Sequence, residues 1–138
     1  MKVRQISAFI ENKAGRVSEV TEILGKASIN IRGFSVSDTA EYGILRLVVD
    51  RPDEALETLK SAGFTVKESE VICIKLEDTP GALARALSIV SDAGVNIEYV
   101  YSLVSTYVVI NVADVDRAVR LLSDQPVELV SQEDIAAI

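Results

Sequence analysis

The pattern that organises this chain is ENKAGRV at residues 11–17, which returns as EDTPGAL at residues 77–83. The two stretches lie 66 positions apart, and each places a glycine four residues after a glutamate. At the same offset, the triplet Ile-Asn-Ile of residues 29–31 returns as Val-Asn-Ile at residues 95–97. Further along, the offset falls to 63, so the second copy has three fewer residues between its second and third predicted strands. The chain is therefore an internal repeat of two copies.

Each copy predicts the order strand, helix, strand, strand, helix, strand. Apolar residues alternate at period two over residues 2–10 and recur at helical spacing over residues 15–27. Pro52, followed by two acidic residues, suits a helix start, and Gly63 suits the end of that helix. A βαββαβ unit with right-handed crossovers forms a ferredoxin-like sandwich, in which two helices cover one face of four antiparallel strands.

The predicted fold class is therefore α+β, with two ferredoxin-like βαββαβ sandwiches packed as a pair. We predict a first domain over residues 1–68, a second domain over residues 69–131, and a ragged or docked C-terminal tail over residues 132–138. Only about three residues, 68–70, would join the two domains, so we expect them to stay together.

The composition disfavours several classes of partner. The 138 residues are 49% hydrophobic and 25% charged, which is typical of a folded globular chain. A formal net charge of −7 disfavours binding to nucleic acid or to an anionic membrane surface. No apolar run is long enough for a transmembrane helix, and the N-terminus lacks a signal-peptide pattern. We therefore expect a cytoplasmic, soluble protein that contacts neither nucleic acid nor membrane.

The sequence also disfavours an enzyme. It contains no histidine, which removes the Ser-His and Cys-His nucleophile pairs and the imidazole metal ligand. Cys73 is the single cysteine and has no partner for a disulfide or a metal cluster, so we expect it to pack in a core or interface. No paired-carboxylate, Ser-Lys or phosphate-loop motif is present. We predict no catalytic residue, no metal and no cofactor.

The two glycine stretches are suited to bind a carboxylate. A helix that opens at a glycine presents unpaired backbone N–H groups and a positive dipole end to a carboxylate. Glycine also lets a ligand approach the backbone closely. Asn30 and Asn96 follow the glycines by fifteen residues, and an asparagine amide can accept from an ammonium group while it donates to a carboxylate.

With these motifs the chain resembles a tandem pair of ACT domains, small regulatory modules that bind amino acids and control metabolic enzymes. The motif is an Asn or Asp at the end of the first strand, a Gly three residues later, and an Asn fifteen residues after that Gly. The resemblance covers residues 1–131 and is nearest to stand-alone two-ACT proteins, which are amino-acid sensors or regulatory subunits. It implies a ligand at the interface between modules, where the loop of one module faces the asparagine of the other: Asn12 and Gly15 with Asn96, and Asp78 and Gly81 with Asn30. The full set of ligand-binding residues implied is Asn12, Ala14, Gly15, Arg16, Val17, Asn30, Asp78, Pro80, Gly81, Ala82, Leu83 and Asn96.

Two departures from the family pattern bear on the ligand. Some ACT sites carry a histidine two residues before the first Asn or Asp, where this chain has Ile10 and Leu76. Their presence favours an apolar or aromatic amino acid over a polar one such as serine. In the second copy, Asp78 repels a carboxylate and Pro80 donates no N–H, so the two sites need not be equivalent.

The resemblance also implies partners, and other interpretations stay open. It implies a homodimer, because pairing protects a bare edge strand, and an enzyme of amino-acid metabolism under allosteric control. The alternative function is an assembly subunit that binds a protein partner without sensing a ligand. The glycines can be turn residues, Asn12 and Asp78 can be helix caps, and the two strand asparagines can bond across a module interface. Tyr99 and Tyr101 share one face of the second hairpin. They can pack within the sheet, form the wall of a ligand site or contact a protein partner.

Overall fold

The computed structural model describes residues 1–11, 13–38, 42–104 and 106–138. They form two compact units. The first unit contains Arg4–Ser69 and Ile135–Ile138, and the second unit contains Glu70–Asp134 and Met1–Val3. The second unit thus takes in residues 1–3, which the prediction places in the first domain, and the first unit takes in residues 135–138, which the prediction places in the tail.

Both units have the βαββαβ order, which confirms the predicted fold class. The elements of the first copy are β1 (Val3–Glu11), α1 (Arg16–Lys26), β2 (Ile31–Asp38), β3 (Tyr42–Val49), α2 (Pro52–Ser61) and the first part of β4 (Thr65–Lys75). The second copy continues with the rest of β4, α3 (Ala82–Asp92), β5 (Ile97–Ser102), β6 (Tyr107–Val112), α4 (Val115–Ser123) and β7 (Glu128–Val130). Strand order is β2-β3-β1-β4 in the first copy and β5-β6-β4-β7 in the second. Antiparallel pairing sets Ala8 opposite Leu45 and, at the repeat-related place, Ile74 opposite Val108.

Each unit has a hydrophobic core made by repeat-related positions. The strands and helices of the first copy contribute Ile6, Ala8, Ile10, Val20, Leu24, Ile29, Leu45, Leu47, Val49, Ala55 and Leu59. Those of the second contribute Ile72, Ile74, Ala86, Val90, Val95, Val108, Ile110, Val112, Ala118 and Leu122. The copies differ in side-chain size in opposite senses on strand and helix. The second copy has the larger Ile74 on the strand where the first has Ala8, and the smaller Val90 on the helix where the first has Leu24. Such compensation keeps the volume of a close-packed interior nearly constant.

The linker predicted at residues 68–70 is wrong, because these residues lie inside the continuous strand β4. This stretch contains Glu68 and Glu70, and each acid has a basic partner near the start of the chain. Arg4 forms an ion pair with Glu68, and the Lys2 Nζ lies 3.5 Å from a carboxylate oxygen of Glu70. A strand with one open face tolerates such charges at period two.

The first helix of each copy ends in a left-handed residue at the same repeat position. Ser28 follows α1 with φ 59° and is the one non-glycine residue with positive φ in the described ranges. Gly94 follows α3 with φ 79°. Left-handed residues commonly end helices, and glycine adopts this conformation without a Cβ clash. Ser28 is therefore strained where its counterpart is not.

An arginine at the start of the second helix of each copy hydrogen-bonds to the end of the first helix. Arg51 directly precedes α2, and Arg117 lies in the first turn of α4. The Arg51 Nη2 donates to the Ala27 carbonyl oxygen at 3.2 Å and also to the carbonyl of Ser28. The Arg117 Nη2 donates to the Ala93 carbonyl oxygen at 2.8 Å. Helix ends leave carbonyl groups without intrahelical partners, and a cation there also suits the helix dipole.

Residues 132–138, predicted as a tail, contain the helix α5 (Gln132–Ala137). Ile135 in this helix is fully buried. The Arg32 Nη2 donates to the Ala136 carbonyl oxygen at 3.3 Å, within the first unit. The end of the chain is thus an ordered part of the fold.

Apolar residues stand exposed on the edge strand β2, while aromatic residues on β5 stack on each other. Phe34 is 63% exposed, and Val36 is also exposed. Both lie opposite core residues of β3, and therefore on the face that the helices only partly cover. The rings of Tyr99 and Tyr101 stack with centroids 6.2 Å apart.

Candidate functional site

The two glycine loops have the same backbone geometry. Gly15 has φ 87° and ψ −9°, and Gly81 has φ 83° and ψ −5°. Each stands directly before a helix of 11 residues, and its carbonyl oxygen accepts from the N–H four residues later, at 2.9 Å in α1 and 3.0 Å in α3. This left-handed conformation strains a residue that has a side chain, and glycine avoids that strain at both places.

Both helices begin with donors that the described residues leave open. No described side chain caps α1 or α3. The first helical N–H donates to a loop carbonyl, from Arg16 to Lys13 at 3.3 Å and from Ala82 to Thr79 at 3.2 Å. The next N–H of each helix has no acceptor in the described part of the chain. A carboxylate is the kind of group that such a helix start accepts.

The remaining predicted loop residues are mostly exposed. Asn12 lies outside the described residues, so its role stays a prediction. The exposed members of the predicted set in the loops and first helical turns are Ala14, Val17, Asp78, Pro80 and Leu83. No described hydrogen bond or ion pair engages the carboxylate of Asp78.

The two predicted asparagines lie before β2 and β5, where the first helix of each copy has already ended. Asn30 bonds through its backbone to Asp50, with its N–H donating to the carboxylate oxygen at 2.9 Å. The Asn96 carbonyl accepts from the N–H of Ala113 at 3.3 Å. Helix α1 alone spans roughly 16 Å, so the structure does not bring Asn30 to Gly15 of its own unit. The predicted pairings of each glycine loop with the asparagine of the other module stay predictions.

Each unit also has a cavity at the same place in the repeat, which the sequence pattern did not reveal. It lies among the end of the first strand, the start of the first helix and the segment before the last strand. Its volume is about 290 Å³ in the first unit and about 440 Å³ in the second. Of the predicted set, Arg16 lines the first cavity and Ala82 lines the second. Asn96 lines a third, shallower cavity of about 390 Å³ beside Gly94.

The cavity of the first unit is aromatic, and its cation is paired. Phe9, Phe64 and Tyr42 contribute to its wall. The Arg16 Nη1 lies 2.9 Å from the Glu19 Oε2, and its Nη2 lies 3.3 Å from the Glu11 Oε1. The hydrogen bond from Lys13 and the nearby Arg16 guanidinium lower the pKa of the Glu11 carboxyl.

The cavity of the second unit is aliphatic, and its cations are differently placed. Lys75, Glu77 and Arg85 line it together with Leu76, Ala86, Ile89, Pro126 and Val127. Arg85 occupies the position of Glu19 in the repeat, so the charge at the first helical turn is reversed. Sequence reasoning missed both charges, although each follows its loop glycine by four residues and therefore lies one helical turn above it.

The described ranges hold neither a metal-binding cluster nor a helix that could span a membrane. They contain no group of three or more acidic or cysteine side chains placed to hold a metal ion. None of their helices has the length and apolar character needed to cross a bilayer. Cys73 is buried, as expected, and burial raises the pKa of its thiol to about 12.

Comparisons with known proteins agree with this architecture. Protein BT0572 from Bacteroides thetaiotaomicron, a solved structure, is 38% identical over 100% of this chain and 98% of that chain, with a TM-score of 0.94. The regulatory subunit of aspartate kinase from Thermus thermophilus, in its ligand-free form, is 21% identical over 90% of this chain and 93% of that chain, with a TM-score of 0.65. The regulatory subunit of aspartate kinase from Thermus flavus is 20% identical over 90% and 92%, with a TM-score of 0.62. At 21% and 20% identity the two kinase subunits show a shared fold.

A search of the curated proteins found no match to this chain. The family profile described as the ACT domain pair matches residues 1–138. The repeated βαββαβ units and the left-handed glycine at the start of α1 and α3 are the structural counterpart of that match. This chain belongs to the ACT domain pair family.

Proposed function

We propose that this chain is a non-enzymatic regulatory protein that binds a free amino acid at its glycine loops and controls an enzyme of amino-acid metabolism. The observation that carries the proposal is the shared geometry of Gly15 and Gly81, each opening a helix whose first turn has no described side-chain cap. Helix starts of this kind bind carboxylates. The likeness in fold to regulatory subunits of aspartate kinase supports a regulatory role.

An apolar or aromatic amino acid is the ligand that the surroundings of the loops favour. Ile10 and Leu76 line the cavities next to the loops and offer an apolar surface. In the first unit, the Arg16 guanidinium can attract the carboxylate of an amino acid, and the two carboxylates beside it can attract the ammonium group. Phe9 and Phe64 offer aromatic contact to the ligand side chain.

Thermal unfolding in the presence of each of the 20 amino acids at millimolar concentration tests the proposal. A ligand at 100 times its dissociation constant stabilises the native state by about 2.7 kcal/mol, which raises Tm by several degrees. Gly15→Val and Gly81→Val are expected to reduce this ligand-induced rise, because a β-branched residue cannot hold the loop conformation. Gly25→Ala, an exposed change within α1 where a Cβ meets nothing within 4 Å, is the matched control and keeps the full response.

An assembly role is the second candidate, because Phe34 and Val36 expose apolar surface on the edge strand β2. Edge strands offer unpaired backbone groups to another chain, and pairing of two copies along β2 would make a homodimer. Phe34→Lys is expected to convert a dimer into a monomer in sedimentation velocity, while Val104→Lys, at an exposed position off this edge, leaves it unchanged. If no amino acid raises Tm and Phe34→Lys abolishes dimerisation, the assembly role stands and the sensor role fails.

A further inference from the structure

Two cations line the cavity of the second unit, and neither forms an ion pair within the described ranges, although Glu128 lies opposite Lys75 in the register of β4 and β7. Among the residues that the structure describes, the Arg85 guanidinium donates to the Pro80 carbonyl and the Thr79 hydroxyl, each at the long distance of 3.5 Å. The Lys75 Nζ lies 5.8 Å from the centre of the Tyr107 ring. No described carboxylate lies within 4 Å of either cation. By contrast, the Arg16 guanidinium in the first unit pairs with two carboxylates.

The position of Arg85 is unfavourable for the fold alone. It lies in the first turn of α3, where the positive end of the helix dipole repels a cation. The first turn of α3 has no acidic residue, whereas the first turn of α1 has Glu19 at the repeat-related place. The second copy therefore keeps a cation where helix electrostatics favours an anion. A bound anion would remove this repulsion.

The remaining wall of the cavity is aliphatic. Leu76, Ile89 and Val127 line it, and Ala82 stands where the first unit has Arg16. Its volume of about 440 Å³ suits a small organic molecule. Gly81 leaves room for the guanidinium, because a Cβ at this position would lie 3.0 Å from the Arg85 Nη1.

We infer that the cavity of the second unit binds an aliphatic carboxylate. Arg85 and Lys75 hold the carboxylate, and the aliphatic chain lies against Leu76, Ile89 and Val127. Glu77 at the cavity accepts from an α-ammonium group where the ligand has one. A branched-chain amino acid and its 2-oxo acid therefore share the recognised chemistry. The inference goes beyond the proposed function, because it requires neither an amino group on the ligand nor a regulated enzyme.

Isothermal titration and thermal unfolding of the full chain with 4-methylpentanoate test the inference. This probe has the carboxylate and the branched chain but no amino group. We expect it to bind and to raise Tm by several degrees at saturation. At the same concentration, 3-methylbutylamine, which lacks the carboxylate, and acetate, which lacks the chain, are expected to leave Tm unchanged. L-Leucine and 4-methyl-2-oxopentanoate then show which natural source binds more tightly.

Arg85→Glu introduces the residue type of the first copy at this position. We expect it to weaken binding of 4-methylpentanoate at least tenfold, while it raises Tm of the free protein because an acid suits the helix start. Arg120→Ala, an exposed arginine on α4 outside the cavity, is the charge control and keeps the affinity. A variant that gains stability and loses binding separates recognition from a structural role.

Three results would overturn the inference: no binding of 4-methylpentanoate, equal binding of 3-methylbutylamine, or unchanged affinity in Arg85→Glu. If amino acids raise Tm but 4-methylpentanoate does not, the inference fails while the proposed function stands. If 4-methylpentanoate raises Tm and no amino acid does, the inference stands and the proposed function fails.

Discussion

Ser28→Gly is expected to stabilise the protein by about 0.5–1 kcal/mol. Ser28 has φ 59°, and a left-handed conformation costs a residue with a side chain roughly 1–2 kcal/mol. Glycine removes this strain but gives the unfolded chain more freedom, which costs about 0.4–1 kcal/mol. The relief of strain exceeds the entropic cost, so the net effect is stabilising. The second copy already has glycine at the repeat-related position, Gly94, with φ 79°.

Urea unfolding followed by circular dichroism measures this effect as a rise in the midpoint at constant m-value. A gain of this size also raises Tm by about 2–4 °C. The reciprocal change, Gly94→Ser, is expected to lower stability by a similar amount. Ser28→Ala is the control, because alanine keeps the Cβ and the strain, and it should stay within about 0.5 kcal/mol of the parent. A destabilised Ser28→Gly, or a neutral Gly94→Ser, would refute the argument from backbone strain.

The other predictions concern the thiol, the end of the chain and the helix ends. Burial raises the pKa of the Cys73 thiol to about 12, so the neutral thiol contributes fully to the free energy of unfolding below about pH 9, and this contribution falls by up to about 1.4 kcal/mol per pH unit as pH rises toward 12. In urea titrations over this pH range, the free energy of unfolding of Cys73→Ala should decline less steeply than that of the parent. Identical declines would contradict this prediction. Ile135→Ala removes a fully buried side chain and should cost about 2–4 kcal/mol; equal unfolding midpoints for this variant and the exposed Ile138→Ala would count against α5 as part of the fold. Arg51→Ala removes hydrogen bonds to the carbonyls of Ala27 and Ser28, and Arg117→Ala removes one to the carbonyl of Ala93. Each variant should cost about 1 kcal/mol in urea unfolding; a loss no larger than that of a typical surface change would show that these bonds do not stabilise the helix ends.

The fold was predictable because its signals are local and occur twice. The change of period from two to 3.6 after Ile10, and again after Leu76, marks strand and helix in each copy. The glycine before each helix is required by its own φ, so the sequence pattern and the backbone geometry agree at Gly15 and Gly81. The prediction failed at residues 68–70, which were expected to join the two domains and instead lie within β4. Ion pairs of Glu68 and Glu70 with residues more than 60 positions away allow a strand there, and spacing within the segment does not reveal such partners.

The candidate site was only partly predictable. The loop residues follow from the glycine motif, since one short segment contains them. The cavities do not, because each joins three segments that are distant in sequence, such as Leu76, Arg85 and Val127. The change from Glu19 to Arg85 is visible in the aligned repeat, but its meaning depends on the carboxylates that surround one arginine and not the other.

The continuous strand β4 limits which parts of this duplicated chain can be lost or exchanged separately. Copies joined by a loop can be separated, lost or recombined one at a time. Here the boundary between the two units falls inside one strand, and each unit also includes one end of the chain, Met1–Val3 or Ile135–Ile138. A fragment ending at residue 69 would stop within a strand and lack residues 135–138 of its own unit. Removal of either copy would therefore cut β4 and take away an end segment of the other unit. Substitutions in the cavity walls leave β4 whole, and there the copies already differ, with Glu19 in one and Arg85 in the other.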